Sequence, residues 1–599
     1  MGSFSNSTRS AAAVLLSLAA PALMLAAGAN SFVTRNLVAN VAGVADVTDP
    51  NLNDPWGLST STASPFWVSN HLAGNSTLYN GSGAIIALVV AVPPGAASTA
   101  GGKPTGQVQN ASTQFLVPSG VKSSFIFATE DGTISAWQTG TVSIVMVDNS
   151  AAGAVYKGLA INPSATAPLL YAANFRQNRI DVFDGAFKPT TVAGGFVDAA
   201  IPSGFAPFNI WNLAGKLYVT YAKQDAAKLL DVGGAGNGYV SVFDFNGNLL
   251  SHLISGGALN SPWGIAIAPA NWGSFPGALI VGNFGNGAIN AYDVTTGALL
   301  GAVQDTTGTP ISVPGLWALI VGNGGNGGDP NTIYFAAGVP NGSGKARGIL
   351  GSIAPPAQIY AVYNSAGGQI TGVAPGEVVN IAGQTVGPSP AVRGTIPASG
   401  NLGSTLGTAN GATSVTFNGI SAPILYTSSV QTSVLVPYSV AGSAAASVVM
   451  KTGVQTTAAF SVPVVASIPG VFTQNGGGTG QAVVLNADGT LNSAANPAVK
   501  GSVFLLFVTG EGATNPPGVD GLILPSNILR TPVLATSMTV GGQAVPVLYA
   551  GGSPGGLSGV MEMEGIVPAG ATSGNNVIVV TVGSASSQAG VNLSVKSIF

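Results

Sequence analysis

The chain contains no cysteine, which excludes disulfide bonds and thiolate metal sites. Charged residues make up only 7% of its 599 residues, against about 25% in typical soluble proteins. A helical enzyme needs Glu, Lys and Arg on its exposed helix faces, so this scarcity argues against one. Eighteen Lys plus Arg face 21 Asp plus Glu, a formal net charge of −3, and no basic stripe is present. The sequence therefore predicts no nucleic-acid partner.

Histidine is also scarce, since His71 and His252 are the only two in the chain. They lie in different repeats and no helical or hairpin spacing links them, so no two-histidine metal site is predicted. His71 is a candidate for the mouth of a central channel, although an ordinary loop position is favoured. Residues 551–555 have the G-x-S-x-G spacing, but no strand–turn–helix surrounds them. Residues 322–327 fit G-x-G-x-x-G, but Asp-Pro follows where a dinucleotide site needs a helix.

Long apolar runs are confined to the N-terminus. Arg9 precedes an apolar run over residues 11–25, and Ala-Gly-Ala at residues 27–29 fits a cleavage site. Residues 1–29 are therefore predicted to be a signal peptide. The alternative, an N-terminal membrane anchor, is disfavoured because the run is shorter than the ~20 residues of a spanning helix. We expect a protein that is secreted, periplasmic or held at the cell surface, without a membrane span after signal removal.

Glycine is abundant, with 85 residues, and it separates short β-rich runs. Residues 261–303 contain four such runs, bounded by Gly, Asn and Pro. Four strands in roughly 40 residues is the size of one β-propeller blade. Five further copies of this skeleton begin near residues 54, 125, 156, 208 and 316. The run FVTRNLVAN, residues 32–40, is expected to complete the last blade and join the ends of the ring.

After residue 353 the pattern changes, and a second internal repeat begins. VTFNGISAPILY, residues 415–426, matches MTVGGQAVPVLY, residues 538–549. The length, alternation and turn spacing of this unit predict an immunoglobulin-like sandwich. The predicted fold is all-β: a signal peptide (1–29), a six-bladed β-propeller (30–353) and two immunoglobulin-like β-sandwich domains (354–465 and 466–599).

Several motifs carry a resemblance to known proteins. DPWGL, FIFATEDGTISAW, LYAANF and ALIVGNFGNGAINAYD resemble an uncharacterised family of secreted bacterial propellers with NHL-like repeats, over about residues 31–352. LNADGTLNSAANPA and TGEGATNPP resemble an uncharacterised immunoglobulin- or IPT/TIG-like C-terminal domain of extracellular soil-bacterial proteins, over about residues 357–599. The resemblance implies a surface or secreted setting and no established activity.

A ring of blades has an axial tunnel, where small-molecule sites occur. Some related propellers, including the gluconolactonase-like group, hold a divalent metal there with Glu, Asn and Asp. The corresponding blade positions here are Asn70, Glu130, Asn174 and Asn283, and such oxygen ligands suit Ca²⁺. These four residues form a candidate calcium site. The alternative, which is favoured, is that the Asn side chains cap turns at strand ends.

The predicted function is an exported, non-catalytic binding or cell-surface interaction protein whose propeller face takes an extracellular glycan, polymer or protein. One alternative is a metal-dependent hydrolase or lactonase in the propeller channel, which needs at least three convergent oxygen ligands. Another is a structural envelope component, which the low charge and high glycine content would suit. No catalytic residue is assigned, and whether the chain is an enzyme stays open.

Overall fold

The computed structural model describes residues 29–98, 101–340, 346–407, 412–453 and 455–597. The predicted signal peptide lies outside these residues except for its last position. The described chain consists of β-strands, turns and irregular segments with one short 3-10 helix, Tyr438–Val440, so the all-β prediction is confirmed. Within this part of the chain no helix is long and apolar enough to cross a bilayer. Two compact units divide between Pro355 and Pro356.

The described residues of the first unit form 25 strands. In chain order they are β1 (Val33–Ala39), β2 (Val47–Thr48), β3 (Pro55–Ser59), β4 (Phe66–Asn70), β5 (Asn75–Tyr79), β6 (Ile85–Ala91), β7 (Pro104–Gln109), β8 (Phe125–Thr129), β9 (Thr133–Trp137), β10 (Ile144–Asp148), β11 (Tyr156–Ile161), β12 (Leu170–Asn174), β13 (Arg179–Phe183), β14 (Pro189–Thr190), β15 (Phe205–Leu213), β16 (Lys216–Lys223), β17 (Tyr239–Phe243), β18 (Leu249–Ser255), β19 (Pro262–Ile267), β20 (Leu279–Asn283), β21 (Ile289–Tyr292), β22 (Leu299–Ala302), β23 (Leu316–Val321), β24 (Ile333–Pro340) and β25 (Ala346–Ala354).

These strands form six sheets. Five of them take four consecutive strands each: β3 to β6, β7 to β10, β11 to β14, β15 to β18 and β19 to β22. The sixth joins β23, β24 and β25 to β1 from the start of the unit, with Val33 opposite Ala354. The prediction that residues 32–40 complete the last sheet is confirmed. Because this sheet takes strands from both ends of the unit, it ties the two ends together.

The first strand of each sheet packs against the first strand of the next. Their order is closed: β3, β7, β11, β15, β19, β23 and again β3. Sheets arranged around a common axis in this way form a β-propeller, with the first strands innermost. Strand β7 belongs to none of the predicted repeat copies, because Thr105 replaces the large residue that the other first strands carry at this position.

A β-bulge recurs near the start of every first strand. Register shifts fall after Pro55, Pro104, Tyr156, Pro207, Pro262 and Leu316. Glycine follows two residues later in four of these strands, and an added Cβ at Gly57 or Gly264 would collide with a carbonyl oxygen of the next first strand. Glycine thus lets neighbouring inner strands approach closely. The bulge changes the direction of the side chain that directly precedes the glycine.

In the second unit, too, 25 strands are present among the described residues. They are β26 (Gln358–Asn364), β27 (Val378–Gln384), β28 (Val392–Arg393), β29 (Thr405–Leu406), β30 (Thr413–Phe417), β31 (Ile420–Ser421), β32 (Ile424–Thr427), β33 (Gln431–Leu435), β34 (Ala445–Thr452), β35 (Gln455–Thr456), β36 (Phe460–Pro463), β37 (Gly470–Val471), β38 (Gly480–Gln481), β39 (Val484–Asn486), β40 (Ala498–Val499), β41 (Val503–Thr509), β42 (Thr514–Asn515), β43 (Thr531–Pro532), β44 (Thr536–Val540), β45 (Gln543–Ala544), β46 (Val547–Gly552), β47 (Val560–Ile566), β48 (Gly574–Val582), β49 (Ala585–Ser586) and β50 (Val591–Lys596).

The second unit repeats one pattern of strand pairing. β27 pairs with β33 and β30 with β34 in the first half, as β41 pairs with β47 and β44 with β48 in the second. The internal repeat predicted from the sequence is therefore confirmed. Each half encloses its own apolar core between sheets. A third cluster, which includes Leu435 and Phe507, joins the two halves.

Candidate functional site at the mouth of the ring

In all six sheets one backbone hydrogen bond joins the residue just before the first strand to a residue at or near the end of the second strand. The donor and acceptor pairs are His71 to Asp54 (2.9 Å), Glu130 to Lys103 (3.0 Å), Phe175 to Val155 (2.9 Å), Gln224 to Gly204 (2.8 Å), Phe284 to Ser261 (2.9 Å) and Gly338 to Gly315 (2.9 Å). The six donor residues occupy equivalent positions around the ring. We call the surface that they surround the mouth.

The axis next to the mouth is filled by side chains from the bulged first strands. Trp56 stacks on Trp317 with ring centroids 3.6 Å apart. Trp263 and Phe208 approach Trp317 at 5.8 and 5.9 Å. All four aromatic side chains are buried. The axial tunnel that the sequence analysis expects is therefore closed by aromatic rings at this level.

Four titratable side chains and one tryptophan form what we call the mouth cluster: Asp54, Trp56, His71, Glu130 and Lys157. His71 Nδ1 lies 3.0 Å from Asp54 Oδ2, and His71 Nε2 lies 2.7 Å from Glu130 Oε2. Lys157 Nζ donates to Glu130 Oε1. Trp56 Nε1 donates to Asp54 Oδ2 at 3.1 Å. Each carboxylate thus accepts a hydrogen bond from another member of the cluster, and Glu130 links the histidine to the lysine.

The cluster has buried cations and more exposed carboxylates. The side chains of Lys157 and His71 are 2% and 8% exposed, whereas those of Asp54 and Glu130 are 14% and 15% exposed. Lys157 Nζ lies 5.1 Å from the ring centroid of Trp56, and the His71 ring stacks on the same indole at 4.4 Å. The indole therefore packs against both nitrogen-bearing side chains.

Both of the pKa shifts in the cluster favour charged forms. Burial opposes protonation of His71, but its hydrogen bonds to Asp54 and Glu130 and their charges raise its pKa above the ordinary value. Burial favours the neutral form of Glu130 and would raise its pKa. The charge of Lys157 and the hydrogen bond from His71 outweigh this effect and hold the pKa well below the ordinary value. With His71 protonated, its charge and that of Lys157 balance those of the two carboxylates.

The three predicted Asn ligands end the second strands β4, β12 and β20, and all three are buried. Asn70 Nδ2 donates to Thr77 Oγ1 at 2.9 Å, and Asn174 Nδ2 donates to Asp181 Oδ2 at 2.8 Å. Asn283 Nδ2 donates to the backbone oxygen of Ala258, also at 2.8 Å, and its Oδ1 accepts from a backbone N–H.

Of the four predicted ligands, Glu130 alone is a member of the mouth cluster. Among the described residues no group of three or more His, Asp and Glu side chains is arranged to hold a metal ion. The calcium site stays a prediction.

Beside the cluster, the mouth presents an aromatic ring, an amide and a further carboxyl group. The half-buried Phe284 ring stacks on Trp317 at 3.9 Å. Gln224 Nε2 donates to the backbone oxygen of Phe175 at 2.6 Å, and the backbone of Gln224 bridges to Asp231. Burial raises the pKa of Asp231, and the charge of Lys157 partly offsets this effect. The mouth thus combines apolar and hydrogen-bonding surface.

Comparison with known proteins identifies relatives in a virus. No protein-family model matches the chain. Two Acanthamoeba polyphaga mimivirus proteins, named Uncharacterized protein R648 and Uncharacterized protein L690, are each 32% identical to it over 337 residues. The matches cover 54% of this chain, 80% of R648 and 86% of L690. The chain belongs to the family of these proteins. The bacterial setting expected from the sequence stays a prediction.

Solved structures with detectable similarity include propellers and an enzyme. The β-propeller domain of Cps50 (Swd1) from Myceliophteria thermophila gives a TM-score of 0.28 at 12% identity, covering 49% of this chain and 82% of that one. A mutant α-L-arabinofuranosidase from Fusarium graminearum gives 0.37 at 11% identity, covering 54% and 98%. At these values the similarities carry no inference about activity.

The sequence pattern pointed to Glu130 and to His71, but not to Lys157 or Asp54. A signal for Lys157 was present, because Tyr-Lys-Gly at residues 156–158 occupies the place that Pro-Trp-Gly has at residues 55–57 and 262–264. A lysine in place of a buried aromatic residue requires a carboxylate partner. Aligning the six bulges would therefore have predicted a buried ion pair in the ring.

Proposed function

We propose that this chain is an exported binding protein whose mouth binds an extracellular glycan without catalysing a reaction. In this proposal the first unit is a six-bladed propeller, and the second contributes two immunoglobulin-like sandwich domains, 354–465 and 466–599. The closed order of six inner strands supports the blade number. The two halves with repeated pairing and separate cores support the sandwich assignment.

The observation that carries the binding role is the surface of the mouth. Phe284 ends a continuous aromatic stack through Trp317 to Trp56, and it lies on the same ring of positions as Glu130. A sugar ring offers an apolar face to an aromatic side chain and hydroxyl donors to carboxylate oxygens. Because the acidic and basic groups of the mouth cluster are paired with one another, a neutral polyhydroxylated ligand suits it better than a charged one.

The mouth cluster also favours binding over metal-dependent hydrolysis. Lys157 donates to Glu130, so its ammonium group stands where a metal ion would meet that carboxylate. Both ring nitrogens of His71 face carboxylate oxygens, an arrangement that favours a proton on each nitrogen and raises the pKa of the ring. An imidazole ring with a proton on each nitrogen has no free lone pair that could bind a metal ion or accept a further proton. The acidic and basic side chains of the mouth cluster are thus hydrogen-bonded to one another.

A purely structural role does not explain why the mouth cluster is present. Burying charged groups costs several kcal/mol per ion before pairing offsets it, and apolar residues of similar volume would fill the same space. A chain whose composition is only 7% charged nevertheless places a lysine, a histidine and two acidic side chains together here. This favours a binding role over that of an envelope filler.

A glycan array probed with the purified full-length chain tests this proposal. We expect binding to a defined set of neutral glycans, weakened at least about tenfold by Phe284→Ala, which removes the stacking ring. Phe245→Ala is the matched control, because Phe245 is also half-buried but lies in the turn between β17 and β18. Absence of binding to any glycan, or equal loss in both variants, would contradict the proposal.

A further inference from the structure

A second group of polar side chains lies on the fourth sheet, away from the mouth cluster. His252 Nδ1 lies 2.6 Å from Asp198 Oδ2, and His252 Nε2 lies 2.6 Å from Ser255 Oγ. Ser241 Oγ donates to the same Asp198 oxygen at 2.7 Å. A carboxylate, an imidazole and a hydroxyl are therefore joined in line through the two nitrogens of one histidine.

A β-bulge is responsible for bringing the serine and the histidine together. Residues three apart in a regular strand point to opposite faces of the sheet. In β18, however, Ser241 pairs with His252 while Val240 pairs with Ile254, so Leu253 is an extra residue. The insertion returns Ser255 to the face that carries His252.

The three groups differ in exposure in the order that acyl transfer requires. The side chain of Asp198 is 2% exposed and that of His252 is 25% exposed, while Ser255 is exposed to solvent. Burial of Asp198 favours its neutral form, but the hydrogen bonds from His252 and Ser241 outweigh it and lower its pKa. A carboxylate at Nδ1 fixes the proton on that nitrogen and leaves the Nε2 lone pair facing the serine hydroxyl.

We propose that Ser255, His252 and Asp198 form a nucleophilic triad that hydrolyses carboxylic esters at the outer strand of the fourth sheet. This activity goes beyond the proposed binding role and uses none of the residues of the mouth cluster. The triad logic requires a nucleophile in contact with a base and a base held by a third group. Both contacts are present here at hydrogen-bond distance.

The reaction proceeds in two balanced steps. Ser255 Oγ attacks the ester carbonyl carbon while its proton passes to His252 Nε2. Collapse of the tetrahedral intermediate breaks the bond to the leaving alcohol, which takes the proton from Nε2. A water molecule then gives a proton to Nε2 and attacks the acyl carbon, and Ser255 regains its proton as the acid departs. Asp198 holds the imidazole and stabilises its charged form throughout.

The chain after Ser255 offers donors for the developing oxyanion. Gly256 and Gly257 both have positive φ, 54° and 61°, and they turn the backbone immediately after the nucleophile. Within the described residues the N–H groups of Gly257 and Ala258 meet no acceptor. Exposed backbone donors of this kind can stabilise a tetrahedral oxyanion.

The loop beside this turn indicates the class of substrate. The Gly236 N–H donates to the Leu259 oxygen at 2.9 Å, so the loop between β16 and β17 packs against the segment that follows Ser255. The same loop carries Leu230 and Val232, which are 60% and 38% exposed. An ester with an uncharged, apolar acyl group fits such surroundings.

The test uses the full-length chain with a fluorophosphonate probe and with p-nitrophenyl acetate. We expect the probe to label Ser255, as located by peptide mass spectrometry. Ser255→Ala and His252→Gln are each expected to lower the hydrolysis rate at least about 100-fold. Asp198→Asn should slow hydrolysis while Ser255 remains in place, which is the signature of a positioning residue.

Ser251→Ala is the matched control, since Ser251 lies on the same strand, next to His252 and on the opposite face. It should keep the wild-type rate and the wild-type labelling. Ser255 is exposed, so its replacement leaves the core intact and the variant remains informative. Absence of label on Ser255, or a wild-type hydrolysis rate in Ser255→Ala, would overturn the proposal.

Discussion

Lys157 places a basic side chain at a position where other first strands carry an aromatic residue. Equivalent positions on other first strands carry Trp56, Phe208, Trp263 and Trp317, which fill the axis. A lysine there is buried and depends on Glu130 for its charge to be tolerated. A buried pair of this kind adds little net stability, but losing one partner leaves an uncompensated charge. The cluster is therefore sensitive to single substitutions.

Glu130→Gln is expected to lower the free energy of unfolding by about 3–5 kcal/mol, because Lys157 would remain buried without a counter-charge. The double variant Glu130→Gln with Lys157→Met should recover much of the loss. Urea unfolding of the full-length chain measures both effects. Arg179→Met is the matched control, since Arg179 pairs with Asp181 but is 60% exposed, and such pairs contribute about 0–1 kcal/mol. Equal stability of wild type and Glu130→Gln would contradict this role.

His71 should make stability depend on pH near neutrality. Its pKa is raised in the folded state, so its contribution is complete below the unfolded value of about 6.5 and is lost as pH rises through the folded pKa. The free energy of unfolding should fall by up to about 1.4 kcal/mol per pH unit over this interval. Thermal denaturation of wild type and His71→Gln from pH 5.5 to 9 checks this. If the stabilities of wild type and His71→Gln changed with pH in the same way, this contribution of His71 would be ruled out.

At the scale of elements, strands were predictable where turn residues and apolar runs alternate. The four strands expected within residues 261–303 are all present, as β19 to β22. Strand β7 was missed because Pro-Thr-Gly-Gln-Val-Gln has few apolar residues. Its polar side chains are satisfied inside the ring instead, as when Thr105 Oγ1 donates to the Tyr156 oxygen at 2.8 Å. Local pattern does not report such contacts between sheets.

The close approach of the inner strands predicts a strong effect at Gly57. Gly57→Ala would drive a methyl group into the carbonyl oxygen of Thr105, and overpacking of this kind costs about 1–3 kcal/mol. Gly101→Ala is the control, because nothing lies within 4 Å of a Cβ there. Thermal denaturation should show a lower melting temperature for Gly57→Ala alone. Equal melting temperatures would mean that the inner strands can separate without cost.

At the scale of the whole molecule, the sequence indicated two kinds of unit but not how the C-terminal repeats associate. Repeated motifs reveal that residues 415–426 and 538–549 fold alike. They do not reveal that Val378, Leu435 and Phe507 share one core, because contacts between repeats are formed by residues far apart in sequence. The contacts within the mouth cluster escaped prediction for the same reason: His71, Glu130 and Lys157 come from three different sheets.

The C-terminal unit carries a buried carboxyl group that should weaken it at alkaline pH. Glu511 is 2% exposed, and its Oε2 has no hydrogen-bond partner among the described residues. Burial raises its pKa to about 8. The folded state thus holds a proton that the unfolded chain releases near pH 4.5, so stability falls as pH rises from about 4.5 to 8, by up to about 1.4 kcal/mol per pH unit.

Glu511→Gln should remove this slope, and its advantage over wild type should grow between pH 5 and 8. Calorimetric melting of the full-length chain follows the transition of this unit. Glu564→Gln, a half-buried carboxyl group on β47, is the control and should keep the wild-type slope. Identical slopes in wild type and Glu511→Gln would contradict the assignment.

We propose that Lys157 provides the positive charge at Glu130, so that the mouth needs no metal ion. Calorimetric titration of Ca²⁺ into the full-length wild-type chain, with Glu130→Ala as the reference, tests this proposal. We predict no heat of binding that depends on Glu130. Stoichiometric calcium binding that disappears in Glu130→Ala would contradict the account and restore the metal-dependent hydrolase.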